Sequence, residues 1–432
     1  MKVPIAQRTP QPQHAQSDQR GRPRPALFPS FFGAGFECSR HTNEHGRQDL
    51  VQQTQHDRFL CDDYARIAAL NLLTVREGVP WHQIARPELG DQFDFGPVDP
   101  LIEAAGEFGL TMIWDLFHYG YPDHLDPFSE DFVTQFAAYC GAFARHLIDR
   151  DGGTGGAGET RFYTVINEPS FFAWAGGEAG RFAPFVTGRG FDFKLQLART
   201  CIAGIDAIRA VDPGARFVNV DPVIHAVAPL DEPELAEDAA RFNEFQWQFW
   251  DIISGRDWPE LGGSAAHLDI IGVNHYLHGQ WEHCRAGWLA FDDPRRKPLS
   301  AILGDVATRY PGHPLLISET GCRGDMRAVW LDYTVDGAVG ALKAGLDLQG
   351  ICLYPIIDMP DWYSGEWIEY GMWDLVPQSG PDGQPDPDGD VLRRRLYRPL
   401  RNALLRAQTR LDRLGLLPAW QADTAAQTEQ AA

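Results

Sequence analysis

The sequence predicts an α/β fold, a single (β/α)8 TIM barrel. Three observations predict it. Eight strand-like apolar segments alternate with segments of helical spacing, the pattern of a parallel sheet. Charged or polar residues close those strands along the whole chain, whereas an open doubly wound sheet gathers them at its switch point. The chain has 432 residues, 44% of them hydrophobic, enough for one large barrel.

The elements follow in order. Residues 1–26 are rich in Gln, Arg and Pro and read as a disordered arm. The first strand spans 26–36 and ends in the polar cluster Glu37, Cys38, Ser39, Arg40, His41. A helix over 52–70 leads to a strand over 71–77 that closes on Arg76 and Glu77. A helix over 98–108 precedes a strand over 110–115. The helix over 129–149 carries Phe132, Phe136, Tyr139, Phe143 and Leu147 on one face. Residues 151–158 are a Gly-rich connector, with no Gly-Lys-Ser/Thr that would make it a phosphate loop. Strands then follow at 162–166, 217–220, 268–276, 315–321 and 348–354. Helices are predicted at 191–211, 239–253, 298–310, 327–346 and 391–407. Residues 379–390 form a Pro/Gly/Asp-rich loop. The barrel domain is bounded at 27–407, with 408–432 as a C-terminal extension and polar tail.

Composition narrows the partners. The formal charge is −21, from 38 basic and 59 acidic residues, which argues against nucleic acid and anionic membranes. No run of about 18 apolar residues is present, so no membrane helix is expected. The N-terminal segment lacks the apolar core of a signal peptide. Seven scattered Cys without a C-x-x-C fit free thiols in a reducing compartment, and the expected location is cytoplasmic.

Two stretches carry the chemistry. Phe162 to Ile166 runs into Asn167-Glu168-Pro169, and Leu315 to Ile317 runs into Ser318-Glu319-Thr320-Gly321. A charge at the end of a buried strand is costly unless it has a task. Each stretch alone reads better as a strand that simply ends at the surface. Together they supply two carboxyls at one barrel face, the pair that a retaining glycosidase uses. An attacking carboxylate needs cationic and hydrogen-bond support, for which Arg76 and the Tyr276 hydroxyl are candidates. The acid partner must hold its proton, which the field of the first carboxylate favours.

In these stretches the chain resembles the retaining glycoside hydrolases of the large (β/α)8 clan, and within it family 1, the β-glucosidase and β-galactosidase family. Ile166-Asn167-Glu168-Pro169 is similar to the family's acid/base motif on strand four. Ile317-Ser318-Glu319-Thr320-Gly321 is similar to its nucleophile motif on strand seven. Gly272-Val273-Asn274-His275-Tyr276 resembles the strand whose last Tyr supports the nucleophile, and Thr74-Val75-Arg76 the strand-two arginine. Trp114-Asp115-Leu116 and His118 are similar to the strand-three segment. Gly350 to Trp362 resembles the strand-eight segment. The similarity spans roughly 27–407.

The resemblance implies hydrolysis of a β-linked glycoside or oligosaccharide by double displacement through a covalent glycosyl-enzyme, with Glu168 as acid/base and Glu319 as nucleophile. It assigns substrate binding or support to Arg76, His118, Asn167, Asn274, Tyr276, Tyr354, Asp361 and Trp362, with Glu37 and His41 as local polar candidates on strand one. Asn167 is expected to donate to the sugar 2-hydroxyl and His118 to contact sugar. Tyr354 stands where the family has Trp, and Asp361 replaces the Glu that grips the outer hydroxyls. The implied partner is a small carbohydrate or glycoside. No His-Glu-x-x-His and no compact carboxylate–His set has ligand spacing, so neither metal nor cofactor is expected. A transglycosidase of the same mechanism, or a non-catalytic sugar-binding barrel, are the alternatives.

Overall fold

The computed structural model of the protein describes residues 27–90, 92–150, 160–377 and 391–415. Eight parallel strands close into a barrel: β1 (Phe32–Gly35), β2 (Thr74–Gly78), β3 (Thr111–Asp115), β4 (Phe162–Thr164), β5 (Arg216–Pro222), β6 (Ile270–Asn274), β7 (Leu315–Thr320) and β8 (Leu348–Leu353). Each pairs with its neighbours in sequence, and β8 returns to β1 through Phe32↔Ile351. The barrel interior is a packed core. Phe28, Ile113, Phe162, Val218, Val220, Ile270 and Leu316 fill it from the end where the strands begin.

The surrounding helices are α1 (His56–Ala69), α2 (Asp99–Phe108), α3 (Glu130–Arg150), α4 (Gly190–Val211), α5 (Ala236–Asn243), α6 (Gln248–Ile253), α7 (Leu299–Arg309), α8 (Met326–Lys343) and α9 (Arg398–Arg413). The aromatic face read from α3 is the face it buries: Phe132, Phe136, Tyr139 and Phe143 are fully enclosed. Trp81 packs its ring among Phe117, Phe132, Phe136 and Tyr139.

Several sequence-based boundaries move. The first strand is shorter than expected, because residues before Phe32 turn across the barrel floor rather than along its wall. β4 ends at Thr164, and Pro169 does not end it. Pro169 instead opens the four-residue helix Pro169–Phe172, where its missing N–H costs nothing. The helix expected over 239–253 is broken by a 3-10 turn, Glu244–Trp247. The helix expected over 391–407 is a strand, Leu392–Leu396, paired antiparallel with Trp373–Pro377, followed by α9. Pro399 explains this: it is tolerated only in a helix's first turn, so the helix cannot extend upstream through it. α9 runs past the expected domain boundary at 407, and Leu411 is buried in the core. The arm at 1–26, the connector at 151–158, the loop at 379–390 and most of the tail lie outside the described residues.

Candidate active site

The strand carboxyl ends meet at a cavity of about 880 Å³. Glu37, Glu168, Asn274, Tyr276, Tyr354, Asp361 and Trp362 all line it. Arg76, His118, Asn167, Glu319 and His41 are buried beside them: Glu319 accepts from Tyr276, His41 bonds the Trp362 carbonyl, and Arg76, Asn167 and His118 are linked to one another and to Glu319 behind that lining.

Strand geometry decides which polar residues face inward. Side chains alternate along a strand, so Arg76 points into the barrel and Glu77 points out. Arg76 donates to Glu319, to Asp115 at 2.6 Å and to the side-chain carbonyl of Asn167. Glu77 accepts instead from Tyr64 of α1 at 3.0 Å and lies 3.1 Å from His56, so it does not join the site. On β7 the alternation is interrupted. The pairing register with both neighbouring strands shifts between Ile317 and the residues after it. Two successive side chains can then face the cavity: Ser318 donates to Asn274 at 2.7 Å, and Glu319 meets Arg76 and the Tyr276 hydroxyl, the latter at 2.8 Å.

Glu168 is held differently. Its backbone is left-handed, with φ 42°, unusual for a residue with a side chain. Just beyond it, Asp221 at the end of β5 accepts both the backbone N–H of Ser170, at 3.0 Å, and the Ser170 hydroxyl. These bonds tie down the turn that carries Glu168. Its carboxyl accepts from Tyr119 at 2.6 Å and from Asn274 at 2.7 Å. Burial, with the Glu319 carboxylate nearby, pushes its pKa up to about 8, against the opposing effect of those two donors. Glu319 has a guanidinium and a phenol as its donors.

A polar chain joins the two carboxyls. Arg76 serves Glu319 and Asn167, the Asn167 amide donates to the Tyr119 oxygen at 3.1 Å, and Tyr119 donates to Glu168. Tyr119 was not singled out from sequence. It lies one residue beyond His118 at a positive φ, and nothing in its local pattern marks it.

Other expected roles change. Asn167 is fully buried, and its amide nitrogen faces His118 and Tyr119 rather than open cavity. His118 is engaged by Asp115 at 3.0 Å and by Asn167 at 3.0 Å, and it is not among the lining residues. His41 bonds the Trp362 carbonyl at 3.0 Å, so it anchors the loop that brings Trp362 to the cavity. Asp361 turns one oxygen to the N–H groups of Tyr363 and Ser364, each at 3.0 Å, and the other to Arg323 at 3.1 Å. Asp358 accepts the N–H groups of Tyr370, Gly371 and Leu375, shaping the loop rather than the site. Tyr354 lies with its ring 5.3 Å from the Arg76 guanidinium. Gly35 makes room for it, since a Cβ there would come within 2.2 Å of that ring.

The sequence showed no compact ligand set, yet the fold assembles one. Cys38, Asp115 and His118 place potential donor atoms within 4.8 Å of one another, brought from the ends of β1 and β3. Arg76 donates directly to that Asp115, and a fixed guanidinium opposes a cation there.

No protein-family model matches the chain. Among curated proteins it is 25% identical over 395 residues to thermostable beta-glucosidase B of Thermobispora bispora, covering 75% of this chain and 78% of that protein. It is 26% identical over 247 residues to a beta-galactosidase of Sulfolobus acidocaldarius, covering 49% of each. The chain is thus similar to β-glucosidases and a β-galactosidase over half to three quarters of its length. Solved structures agree on the fold: the Thermotoga maritima beta-glucosidase in complex with glucoimidazole superposes with a TM-score of 0.70 at 17% identity, over 90% of this chain and 99% of that one. A structure of that enzyme described as a family 1 β-glucosidase gives 0.68.

Proposed function

We propose that the protein is a retaining β-glycosidase in which Glu319 is the nucleophile and Glu168 the acid/base. The contrast between the two carboxyls carries the reading. One is clasped by a guanidinium and a phenol, which stabilise a carboxylate. The other is buried and raised to about 8, so it carries a proton at neutral pH. A proton-bearing carboxyl beside one held by a guanidinium and a phenol suits an acid and a nucleophile working on one bond.

In the first step Glu319 attacks the anomeric carbon while Glu168 gives its proton to the leaving oxygen. The bond to the leaving group breaks, and the Glu319 charge that raised the Glu168 pKa is consumed in the ester. Glu168 thereby becomes the base that deprotonates water in the second step. Asn274 donates to Glu168 and accepts from Ser318, which keeps the acid aligned with the β7 residue next to the nucleophile.

The barrel is proposed as one catalytic domain that starts near 27 and includes all of α9 to Arg413, past the expected boundary at 407. The seven cysteines are all unpaired, which supports a reducing, cytoplasmic setting. Among the described residues no helix is long and apolar enough to cross a membrane.

A panel of nitrophenyl β-glycosides, followed by proton NMR of the first-formed sugar, tests the reading. The β-anomer should appear first. First release of the α-anomer would replace retention with inversion.

A further inference from the structure

The lining of the cavity holds two buried polar atoms without a partner among the described residues: Oε2 of Glu37 and Nε1 of Trp362. Glu37 lies just past the end of β1 and is only 2% exposed, and its other oxygen accepts the Ser39 N–H at 2.9 Å. Buried polar atoms are normally satisfied, so a free acceptor and a free donor on one cavity are places for a ligand.

The other carboxyls of the lining are committed. Glu168 accepts from Tyr119 and Asn274, and Asp361 from two backbone N–H groups and Arg323. Glu178 accepts the Gly190 N–H at 3.1 Å. The basic side chains of the lining are occupied away from Glu37. Lys194 donates to Gln248 at 2.9 Å, the exposed Arg323 bonds Asp361, and His278 stacks on the Tyr276 ring.

The basic group near Glu37 is His118, whose Nε2 is 3.8 Å away, beyond hydrogen-bond reach. Both ring nitrogens of His118 are already engaged, Nδ1 by Asp115 and Nε2 by Asn167, each at 3.0 Å. Arg76 is divided between Asp115 and Glu319. The acidic side chains Glu37, Asp115, Glu168 and Glu319 therefore outnumber the basic Arg76 and His118 at this end of the barrel, and Glu37 has no cation of its own. A buried carboxyl in that position is costly.

A sugar hydroxyl would give Glu37 a hydrogen bond. A sugar ammonium would give it a stronger bond and the missing charge as well. An ammonium has three donors and no acceptor, so it suits Glu37 and leaves Trp362 Nε1 for a ring hydroxyl. Tyr119, the donor to Glu168, is raised first by burial and also by Glu37. Glu37 thus stands beside the reacting sugar rather than out along the cavity.

We infer that Glu37 recognises an ammonium group on the reacting sugar, so the preferred substrates are β-glycosides of amino sugars. This inference rests on the glycosidase reading above, and its test separates the two.

Methyl thio-β-glycosides of glucose and galactose, and their analogues with each ring hydroxyl in turn replaced by an amine, are titrated by calorimetry at about pH 6, where the amines carry a proton. An amino sugar should bind about tenfold more tightly than its hydroxyl parent, the worth of a charge-assisted bond. Its N-acetyl form keeps an N–H, loses the charge and should bind no better than the parent. In Glu37→Gln the amino-to-hydroxyl ratio should fall to near one. That ratio is internal to each protein, so a general loss of folded protein cancels. If no amino sugar binds more tightly than its parent, the ammonium site is overturned and the catalytic reading is untouched. Nitrophenyl β-glycosides of the same sugars then give kcat/KM. A higher value for the amino glycoside than for its parent is the expected result, and turnover of the neutral glycosides alone overturns the substrate assignment. Preferred binding of the amino sugar with no glycoside turned over removes the catalytic reading and leaves the ammonium site standing.

Discussion

Tyr119 donates its hydroxyl to Oε2 of Glu168 across 2.6 Å, and in the proposed mechanism this bond tunes how easily Glu168 gives up a proton. A donor to a carboxylate stabilises the charged form, so Tyr119 works against the burial that raises Glu168 to about 8. An acid catalyst is active while protonated, so kcat/KM should fall as pH rises through the Glu168 pKa. Tyr119→Phe removes the donor. The alkaline limb of the kcat/KM profile should move up by about one pH unit. A downward or absent shift would remove Tyr119 from this role.

Asp221 should act with the opposite sign. Its negative field contributes to the raised pKa of Glu168. Asp221→Asn keeps the shape and removes the charge, so the alkaline limb should move down. The rate at the optimum should also fall several-fold, because one of the two Ser170 bonds loses its acceptor. A pH profile of the variant set beside that of Tyr119→Phe checks the pair of signs.

Arg76 bonds three groups at once through a planar fork: Glu319, Asp115 and Asn167. A lysine ammonium has the charge but not the fork. Arg76→Lys should lower kcat/KM by about 100-fold and reduce thermal stability, since at least one buried carboxylate loses its partner. Steady-state kinetics within threefold of the wild type would show that the fork is not needed.

The two glutamates should part company in product stereochemistry. In Glu319→Ala the nucleophile is gone, and azide entering the vacated face should give an inverted glycosyl azide. In Glu168→Ala the covalent intermediate still forms on activated aryl glycosides, and azide should give a product of retained configuration. NMR of the azide products reads this directly. Inversion in Glu168→Ala would mean the roles are exchanged. Residual rates alone would not decide, because coupled catalytic residues are not additive.

Stability carries its own pH signature through His56. It is buried between Glu77 at 3.1 Å and Asp63 at 2.9 Å. Burial opposes its charge, but the two carboxylates outweigh this and raise its pKa to about 9. A raised histidine stabilises the fold fully below its unfolded value near 6.5. That contribution is lost as pH climbs from there through about 9. The loss should be about 3 kcal/mol, read from denaturant midpoints at pH 6 and pH 9.5. His56→Gln should be less stable at pH 6 and should flatten that part of the dependence.

Much of this was legible in the chain because it depends on local pattern. The βα alternation follows from hydrophobic period, and Glu168 and Glu319 stand out because charge at the end of an apolar strand is costly. The same local reading went wrong where distant contacts decide. Arg76 and Glu77 are adjacent and equally charged, yet one enters the cavity and the other joins His56 and Tyr64. Asp361 lines the cavity as expected, yet its carboxylate is also committed to the N–H groups of Tyr363 and Ser364 and to Arg323.

The sequence by itself determined the barrel, the order of its strands and the two carboxyls, since hydrophobic period and strand-end polarity are properties of neighbours along the chain. Only the tertiary structure decided that Tyr119 and Asn274 hold Glu168, that Ser318 bonds Asn274 beside Glu319, and that aromatics from three separate elements line one cavity. Those choices turn on pleat direction, on the register shift in β7 and on which loop ends meet in space. The bonds among them join residues from 44 to 106 positions apart, where local pattern carries no information.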